Sequence, residues 1–193
     1  MKKAFTKRTV LTFLVVLLTL ILVCVALYFI FEPKIDRTLY PREYSEFVEK
    51  YAEQYDVPVN LIYAVIRTES GFDPEAVSRV GAVGLMQMMP STFRWLTDDI
   101  LVEALADDML YDPEVNIRYG VYYLRRMYDR YGDWQTALAS YNAGSGRVDG
   151  WLEDNTMTDR KGDLLVERIP FEETRSYVKK VVKAYDAYCR LYP

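Results

Sequence analysis

The sequence contains no histidine among its 193 residues. This absence excludes a Ser-His-Asp or Cys-His nucleophile and any zinc site with a histidine ligand. The sequence has two cysteines, Cys24 and Cys189. We expect no disulfide between them, because Cys24 falls in a long apolar run suited to a membrane and Cys189 lies outside it. The remaining chemistry must use carboxylates, tyrosines, hydroxyls or backbone groups, and nothing in the sequence requires a metal or a cofactor.

Positive charge is scarce after the first eight residues. Four of the 24 Lys and Arg residues lie within those eight, which leaves 20 against 28 Asp and Glu, a net charge of −8. A nucleic-acid-binding surface needs a basic footprint. The acidic remainder therefore argues against a nucleic-acid partner.

Charge is absent from residues 9–31, which are apolar apart from three threonines. This run exceeds the ~20 residues that a helix needs to span a bilayer. Because lysines and an arginine precede it, the positive-inside rule predicts a cytoplasmic segment at 1–8, a single-pass membrane anchor at 9–31 and an extracytoplasmic remainder. A cleaved signal peptide is the alternative, although its apolar core is usually shorter, ~7–15 residues, and is followed by small residues.

The alternation of apolar and polar residues that marks strands is also missing after residue 31. A charged linker at 32–40 precedes one domain at 41–193, in which apolar residues recur at helical spacing. The sequence therefore predicts an all-α fold, with at most a short pairing in a glycine-rich loop. Ser91, Asp112 and Asp133 are the expected N-caps of their helices. The predicted helices cover residues 44–55, 58–70, 91–96, 112–131, 133–141 and 170–185.

Glu69 lies at the end of an apolar helical pattern, directly before a glycine-rich loop. Apolar neighbours would desolvate its carboxyl group, raise its pKa and keep it protonated. Taken alone, a glutamate near a helix C-terminus is more often a solvated surface residue. The loop that follows carries Ser78 and Gln87, whose side chains suit a ligand rich in amides and hydroxyls. Two further signatures lie downstream, one from Tyr141 to Val148 and one from Ile169 to Val178.

Taken together, these signatures resemble the soluble-type lytic transglycosylases. The first reads Glu-Ser-x-Phe-x-Pro-x-Ala-x-Ser-x-x-Gly-Ala-x-Gly-Leu-Met-Gln, the second Tyr-Asn-Ala-Gly-x-Gly-Arg-Val and the third Ile-Pro-Phe-x-Glu-Thr-Arg-x-Tyr-Val. The resemblance covers roughly residues 57–190. It implies a lysozyme-like, mainly helical domain that cleaves the β-1,4 bond between N-acetylmuramic acid and N-acetylglucosamine in peptidoglycan, with glycan strands as the partner.

The resemblance also implies roles for individual residues. Glu69 matches the single catalytic acid and base of the family. The loop around Met86 to Met89 matches its sugar-binding loop, and the second and third signatures line the same cleft. The implied substrate-binding residues are Ser78, Met86, Gln87, Met89, Tyr141, Asn142, Glu173 and Tyr177.

Two other functions stay open at this point. A lysozyme-type hydrolase would need a second carboxylate to activate water, and Asp73 and Glu75 are candidates by sequence distance. A non-catalytic wall-binding module would keep the cleft without cutting glycan. The acidic segment 98–108 is expected to shape either one end of the cleft or a surface for a partner in the cell-wall machinery.

Overall fold

The structure is a computed structural model that describes residues 7–193, with the side chains at positions 7–9, 27–36 and 99–101 outside the description. The predicted cytoplasmic segment 1–8 therefore lies almost entirely outside the described residues. The chain divides into two units, Met1–Pro41 and Arg42–Pro193.

The first unit is built on one long helix, α1, Lys7–Leu39. The helix continues past the end of the apolar run, so residues 32–39 of the predicted linker are helical. The large apolar side chains described between Val10 and Val25 are exposed. Among the residues that the structure describes, no helix is long and apolar enough to cross a membrane.

The second unit is helical throughout, as the sequence predicts. Within residues 42–193 the only β-type pairings described are isolated bridges, two of which, Val77–Val83 and Val83–Met88, form the short pairing expected in the glycine-rich loop. Short π- and 3₁₀-helical turns lie at Leu96–Leu101, Asp107–Tyr111 and Val166–Arg168. The α-helices are α2 (Ser45–Tyr55), α3 (Val59–Glu69), α4 (Pro90–Trp95), α5 (Pro113–Tyr131), α6 (Trp134–Ala143), α7 (Ser145–Leu152) and α8 (Glu172–Leu191).

Two of the three expected N-caps are confirmed. The Asp112 carboxylate accepts a hydrogen bond from the Val115 amide at 2.9 Å, and that of Asp133 accepts one from the Thr136 amide at 2.8 Å. These bonds satisfy amides that the first helical turn leaves unpaired. The cap predicted at Ser91 is wrong, because α4 already begins at Pro90 and has no side-chain cap.

Helix α7 is absent from the sequence-based prediction, which treats Gly144 and Gly146 as an interruption. Glycine lowers helix propensity by about 1 kcal/mol relative to alanine. Here the side chains of Val148 and Trp151 are buried, and this packing stabilises a helix that its glycines disfavour.

Helix α3 lies in the core and carries Glu69 at its last position. All six residues from Leu61 to Ile66 are buried, as the apolar pattern predicts. The helix packs along α8, while α5 packs against α2 and α6. The ring of Tyr63 on α3 stacks on that of Tyr188 on α8, with centroids 5.5 Å apart. Because α3 packs against both α8 and α2, the position of the carboxyl group at its end is well defined.

Candidate active site

Glu69 is half-buried at the point where α3 ends and the loop begins. The next residue, Ser70, is the C-cap, and its amide donates to the Ile66 carbonyl oxygen at 3.0 Å. The Ser70 hydroxyl donates to the Leu85 carbonyl oxygen at 2.8 Å. Ser70 therefore joins the C-terminal end of α3 to the middle of the loop, a role that sequence reasoning did not assign to it.

The environment of Glu69 favours its neutral form. Burial raises the pKa of its carboxyl group from 4.5 to about 7, and the negative charge of Glu173 adds to that rise. The Tyr177 hydroxyl acts in the opposite direction, although its buried oxygen is not in hydrogen-bond geometry with any described residue. No ion pair to Glu69 is found within the described part of the chain. Near neutral pH the carboxyl group is thus divided between its protonated and ionised forms.

Two buried tyrosines lie beside this carboxyl group. Burial raises the pKa of the Tyr141 and Tyr177 hydroxyls well above 10, and the negative charge of Glu69 raises it further. Both hydroxyls therefore stay protonated. They surround Glu69 with neutral groups rather than with a cation that would hold it ionised.

The loop that faces Glu69 is organised by Asn116, a buried residue of α5. Its Oδ1 accepts a hydrogen bond from the Met86 amide at 2.7 Å. Its Nδ2 donates to the carbonyl oxygens of Val83 at 2.9 Å and Leu110 at 2.7 Å. Sequence reasoning placed Asn116 in a helix without a role. The available signal was an amide side chain on the apolar face of α5, which demands buried partners.

Met86 supports the loop rather than facing the cleft. Its side chain is fully buried, and its carbonyl oxygen accepts a hydrogen bond from the Tyr141 hydroxyl at 2.8 Å. A Cβ at Gly120 would lie 2.5 Å from the Met86 sulfur, so only glycine leaves room for it. The side chain of Met86 therefore packs inside the domain. A contact between substrate and the backbone around Met86, which the resemblance implies, stays a prediction.

Ser78 and Gln87 also hold the loop in shape. The Ser78 hydroxyl oxygen accepts a hydrogen bond from the Ala82 amide at 2.9 Å. Gln87 has a φ of 49°, a left-handed conformation that is uncommon for residues other than glycine. Its Nε2 donates to the carbonyl oxygens of Ala76 at 3.0 Å and Gly84 at 2.9 Å. Whether either side chain also contacts substrate stays a prediction.

A cleft of about 230 Å³ opens beside this loop. Four of the predicted substrate-binding residues line it, whereas Ser78, Met86, Glu173 and Tyr177 do not. Tyr141 connects the cleft to Glu69, because Tyr141 lines the cleft and the negative charge of Glu69 raises the pKa of the Tyr141 hydroxyl. The lining also includes residues without a predicted role, Thr92, Tyr123 and Arg147. The full lining is Gln87, Met88, Met89, Thr92, Tyr123, Tyr141, Asn142, Ala143, Gly144 and Arg147.

A larger cavity of about 500 Å³ lies at the opposite end of α3. Its lining includes Pro58 and Val59, where α3 begins, and the helix that separates them from Glu69 is about 16 Å long. Arg125 bridges the α2–α3 turn there, with a hydrogen bond to the Asp56 carbonyl oxygen at 2.8 Å. This cavity contains no part of the Glu69 cluster, so the smaller cleft is the candidate active site.

Comparison with known proteins identifies a family to which this chain is similar. The family model described as the transglycosylase SLT domain matches residues 46–163. The soluble lytic murein transglycosylase of Escherichia coli K12 is 39% identical over 79% of this chain and 24% of its own length. The membrane-bound lytic murein transglycosylase C of Actinobacillus pleuropneumoniae is 31% identical over 78% of this chain and 47% of its own.

A solved structure shows the same fold. The structure of an inactive Glu-to-Gln mutant of lytic transglycosylase Slt from Pseudomonas aeruginosa superimposes with a TM-score of 0.71 at 34% identity. The match covers 79% of this chain and 25% of the other. The chain thus spans about a quarter of the length of its soluble relatives. The matched domain, the sequence identity and the shared fold together show that this chain belongs to the family defined by the transglycosylase SLT domain.

Proposed function

We propose that this protein is a lytic transglycosylase that cleaves the β-1,4 bond between N-acetylmuramic acid and N-acetylglucosamine in peptidoglycan. The observation that carries the proposal is Glu69, a desolvated carboxyl group with a pKa of about 7 that acts on Tyr141, a residue of the cleft wall. Family membership and the names of the relatives, which are lytic murein transglycosylases, support the same substrate.

The first step uses the neutral form of Glu69. Its carboxyl proton passes to the glycosidic oxygen as the bond between C1 and that oxygen breaks. The N-acetyl carbonyl oxygen of the muramic acid residue stabilises the positive charge that develops at C1. General acid catalysis is most effective when the pKa of the acid lies near the working pH, which is the case for Glu69.

The second step uses the ionised form of the same group. The Glu69 carboxylate takes the proton of the C6 hydroxyl, whose oxygen attacks C1 and closes a 1,6-anhydro ring. The carboxyl group is neutral again, and no water is consumed. One carboxylate therefore serves as acid and then as base, whereas most glycosidases use two.

The surrounding residues then have distinct proposed roles. Gln87, Met89, Tyr141 and Asn142 line the cleft and are proposed to contact the glycan strand. Ser78 and Met86 hold the loop that shapes the cleft, through the hydrogen bonds described above. Glu173 and Tyr177 are proposed to act on substrate indirectly, by shifting the pKa of Glu69 in opposite directions.

A hydrolase is the second candidate, and one observation favours it. Glu173, in the first turn of α8, is exposed, and its charge reaches Glu69. It is therefore a better candidate for activating water than Asp73 or Glu75. Both of these residues lie in the exposed turn after α3, where the Asp73 carboxylate accepts a hydrogen bond from the Glu75 amide at 2.9 Å. The two reactions differ by one water molecule in their products.

Mass spectrometry of peptidoglycan digested by the full chain separates these candidates, with the Glu69→Gln variant as the control. We expect products that end in 1,6-anhydro-N-acetylmuramic acid, and we expect none from the control. Reducing-end products that are one water heavier would establish the hydrolase. Binding without cleavage by a folded chain would establish a wall-binding module.

We further propose that residues 9–31 anchor the protein in the cell membrane, with the catalytic domain on the outer side. The uncharged run, the exposed apolar side chains of α1 and the name of the membrane-bound relative support this location. We expect the full chain to resist extraction from membranes by alkaline carbonate and to dissolve in detergent. An intact mass that lacks the N-terminal segment would instead establish a cleaved signal peptide.

A further inference from the structure

Arg147 introduces a positive charge into the wall of the candidate cleft. It belongs to α7, is exposed, and forms no ion pair with any residue that the structure describes. The other titratable groups that act on the candidate site, Glu69 and Glu173, are both carboxyl groups. The function proposed above assigns no role to this arginine.

The guanidinium group of Arg147 is held in a defined orientation. Its Nη1 donates a hydrogen bond to the Ala143 carbonyl oxygen at 2.7 Å. Its central carbon lies 5.5 Å from the centre of the Phe171 ring, within the range of a cation–π contact. Phe171 is in turn fixed by an edge-to-face contact with Trp151, at 5.5 Å between ring centres. A single hydrogen bond and one ring leave the other N–H groups of the guanidinium available to a ligand.

We propose that Arg147 binds a carboxylate group of the glycan strand and so makes the cleft selective for muramic-acid-containing glycans. This inference rests on the function proposed above, because it concerns the same cleft. The carboxylate has two possible sources with shared chemistry, the lactyl group of a muramic acid residue that carries no peptide, and the peptide of a substituted residue.

The chemistry of the arginine favours a carboxylate over a sugar hydroxyl. The planar guanidinium group presents parallel N–H donors that match the two oxygens of a carboxylate. The negative charge of Glu173, and that of Glu69 whenever it is ionised, would otherwise disfavour the approach of an anionic strand. A cation at Arg147 offsets this repulsion at the wall. A neutral glycan such as chitin has no group that needs such a partner.

Binding measurements on the inactive Glu69→Gln chain test the proposal without depending on cleavage. Titration calorimetry would compare three probes: chitohexaose, glycan strands stripped of peptide, and uncrosslinked strands that keep their peptides. The variants are Arg147→Gln and Arg147→Lys. Arg160→Gln is the matched control, because it removes the same charge from an exposed loop position outside the cleft lining. Circular dichroism would confirm that each variant is folded.

We expect Arg147→Gln to weaken the binding of an anionic strand about tenfold and to leave chitohexaose binding within about twofold, since a charge-assisted bidentate contact is lost. Arg147→Lys should retain part of the affinity, and Arg160→Gln all of it. A loss confined to stripped strands assigns the lactyl carboxylate, and a loss confined to substituted strands assigns the peptide.

Equal losses on chitohexaose and on both strands, or no loss on any probe, would overturn the role of Arg147. So would an equal affinity of the Glu69→Gln chain for all three probes. These results are distinct from a failure of the proposed function, which would appear as the absence of anhydro products from the active chain.

Discussion

Two glutamates of the same domain, Glu69 and Glu103, have opposite surroundings. Glu69 is desolvated, has no described ion pair, and has a pKa raised to about 7. Glu103 lies in the acidic segment after α4, where its Oε2 accepts hydrogen bonds from Arg118 Nη1 and from the Tyr119 hydroxyl, both at 2.9 Å. The hydrogen bond from Arg118 is the main reason that the pKa of Glu103 is lowered below 4.5.

This difference is the one expected between the proposed catalytic carboxylate and a structural carboxylate. A group that must give up a proton near neutral pH needs burial without a cation, and the neighbours of Glu69 are neutral tyrosines and a second acid. A carboxylate that joins two segments through an ion pair must be ionised and must lie beside a cation, as Glu103 lies beside Arg118 of α5. The acidic segment predicted to form a cleft end or a partner surface is thus held, at Glu103, by an internal contact.

The largest effect is expected on turnover, when Glu69 and Glu103 are replaced in separate variants. Glu69→Gln should lower turnover of peptidoglycan by about 1,000-fold or more, because one group supplies both proton transfers. Glu103→Gln makes the same chemical change and should leave turnover within a few-fold. Release of anhydro-muramic products would be measured for both variants, with thermal unfolding as the check on folding. Comparable losses in the two variants would remove the distinction between them.

The next effect concerns the loop that faces Glu69. Asn116→Asp keeps the shape of the side chain but turns an oxygen toward the carbonyl groups of Val83 and Leu110. We expect a loss of about 2–5 kcal/mol in the free energy of unfolding, since a buried donor is lost and the new carboxyl oxygen faces two carbonyl acceptors. Urea denaturation measures the loss, and Asn155→Ala at an exposed turn is the control. A change under about 0.5 kcal/mol would show that the loop does not depend on this amide.

The contributions of Glu69 and Glu103 to stability should depend on pH in opposite directions. The folded chain binds a proton at Glu69 more tightly than the unfolded chain does, so stability falls as the pH rises from about 4.5 to about 7. Glu69→Gln should abolish this loss and be more stable than the parent at pH 8, by about 1–3 kcal/mol. For Glu103, the lowered pKa means that stability is lost as the pH falls below 4.5. Denaturation midpoints measured from pH 3 to 8 would show both trends. A difference in stability between the parent and Glu69→Gln that does not change with pH would contradict the raised pKa of Glu69.

The smallest effect is expected for the structural pair itself. Glu103→Gln at neutral pH should lower the free energy of unfolding by about 1 kcal/mol, because Glu103 and Arg118 are both partly exposed and such pairs contribute little. Thermal unfolding of this variant beside Lys179→Gln, which breaks an exposed pair with Glu167, would measure it. A loss above about 3 kcal/mol would mean that Glu103 fixes the acidic segment more strongly than its exposure indicates.

Local chemistry explains what the sequence could predict. The caps at Asp112 and Asp133 and the buried pattern of α3 depend on residues three or four positions apart, and these were predicted correctly. The position of Glu69 at a helix end, facing a glycine-rich loop, followed from the same local pattern.

Contacts between distant residues account for what was missed. Asn116 reaches the Met86 amide across 30 positions, and no local pattern indicates that pairing. The same holds for Ser70 and Leu85, and for the placement of Tyr123 and Arg147 in the cleft wall. Helix α7 was missed because its glycines disfavour a helix that only its buried residues stabilise. The burial of the Met86 side chain depends on the close approach of Gly120, which no local pattern indicates.

The ionisation of Glu69 is the central claim, and it can be measured directly. Carbon-13 NMR of the glutamate side-chain carboxyl groups in the labelled full chain, with Glu69→Gln to assign the signal, would follow the titration of this one group. We expect a midpoint near pH 7, while the Glu103 signal titrates below 4.5. A Glu69 midpoint at or below 4.5 would mean that the carboxyl group is ionised at neutral pH, and it would contradict its proposed role as the acid that starts the reaction.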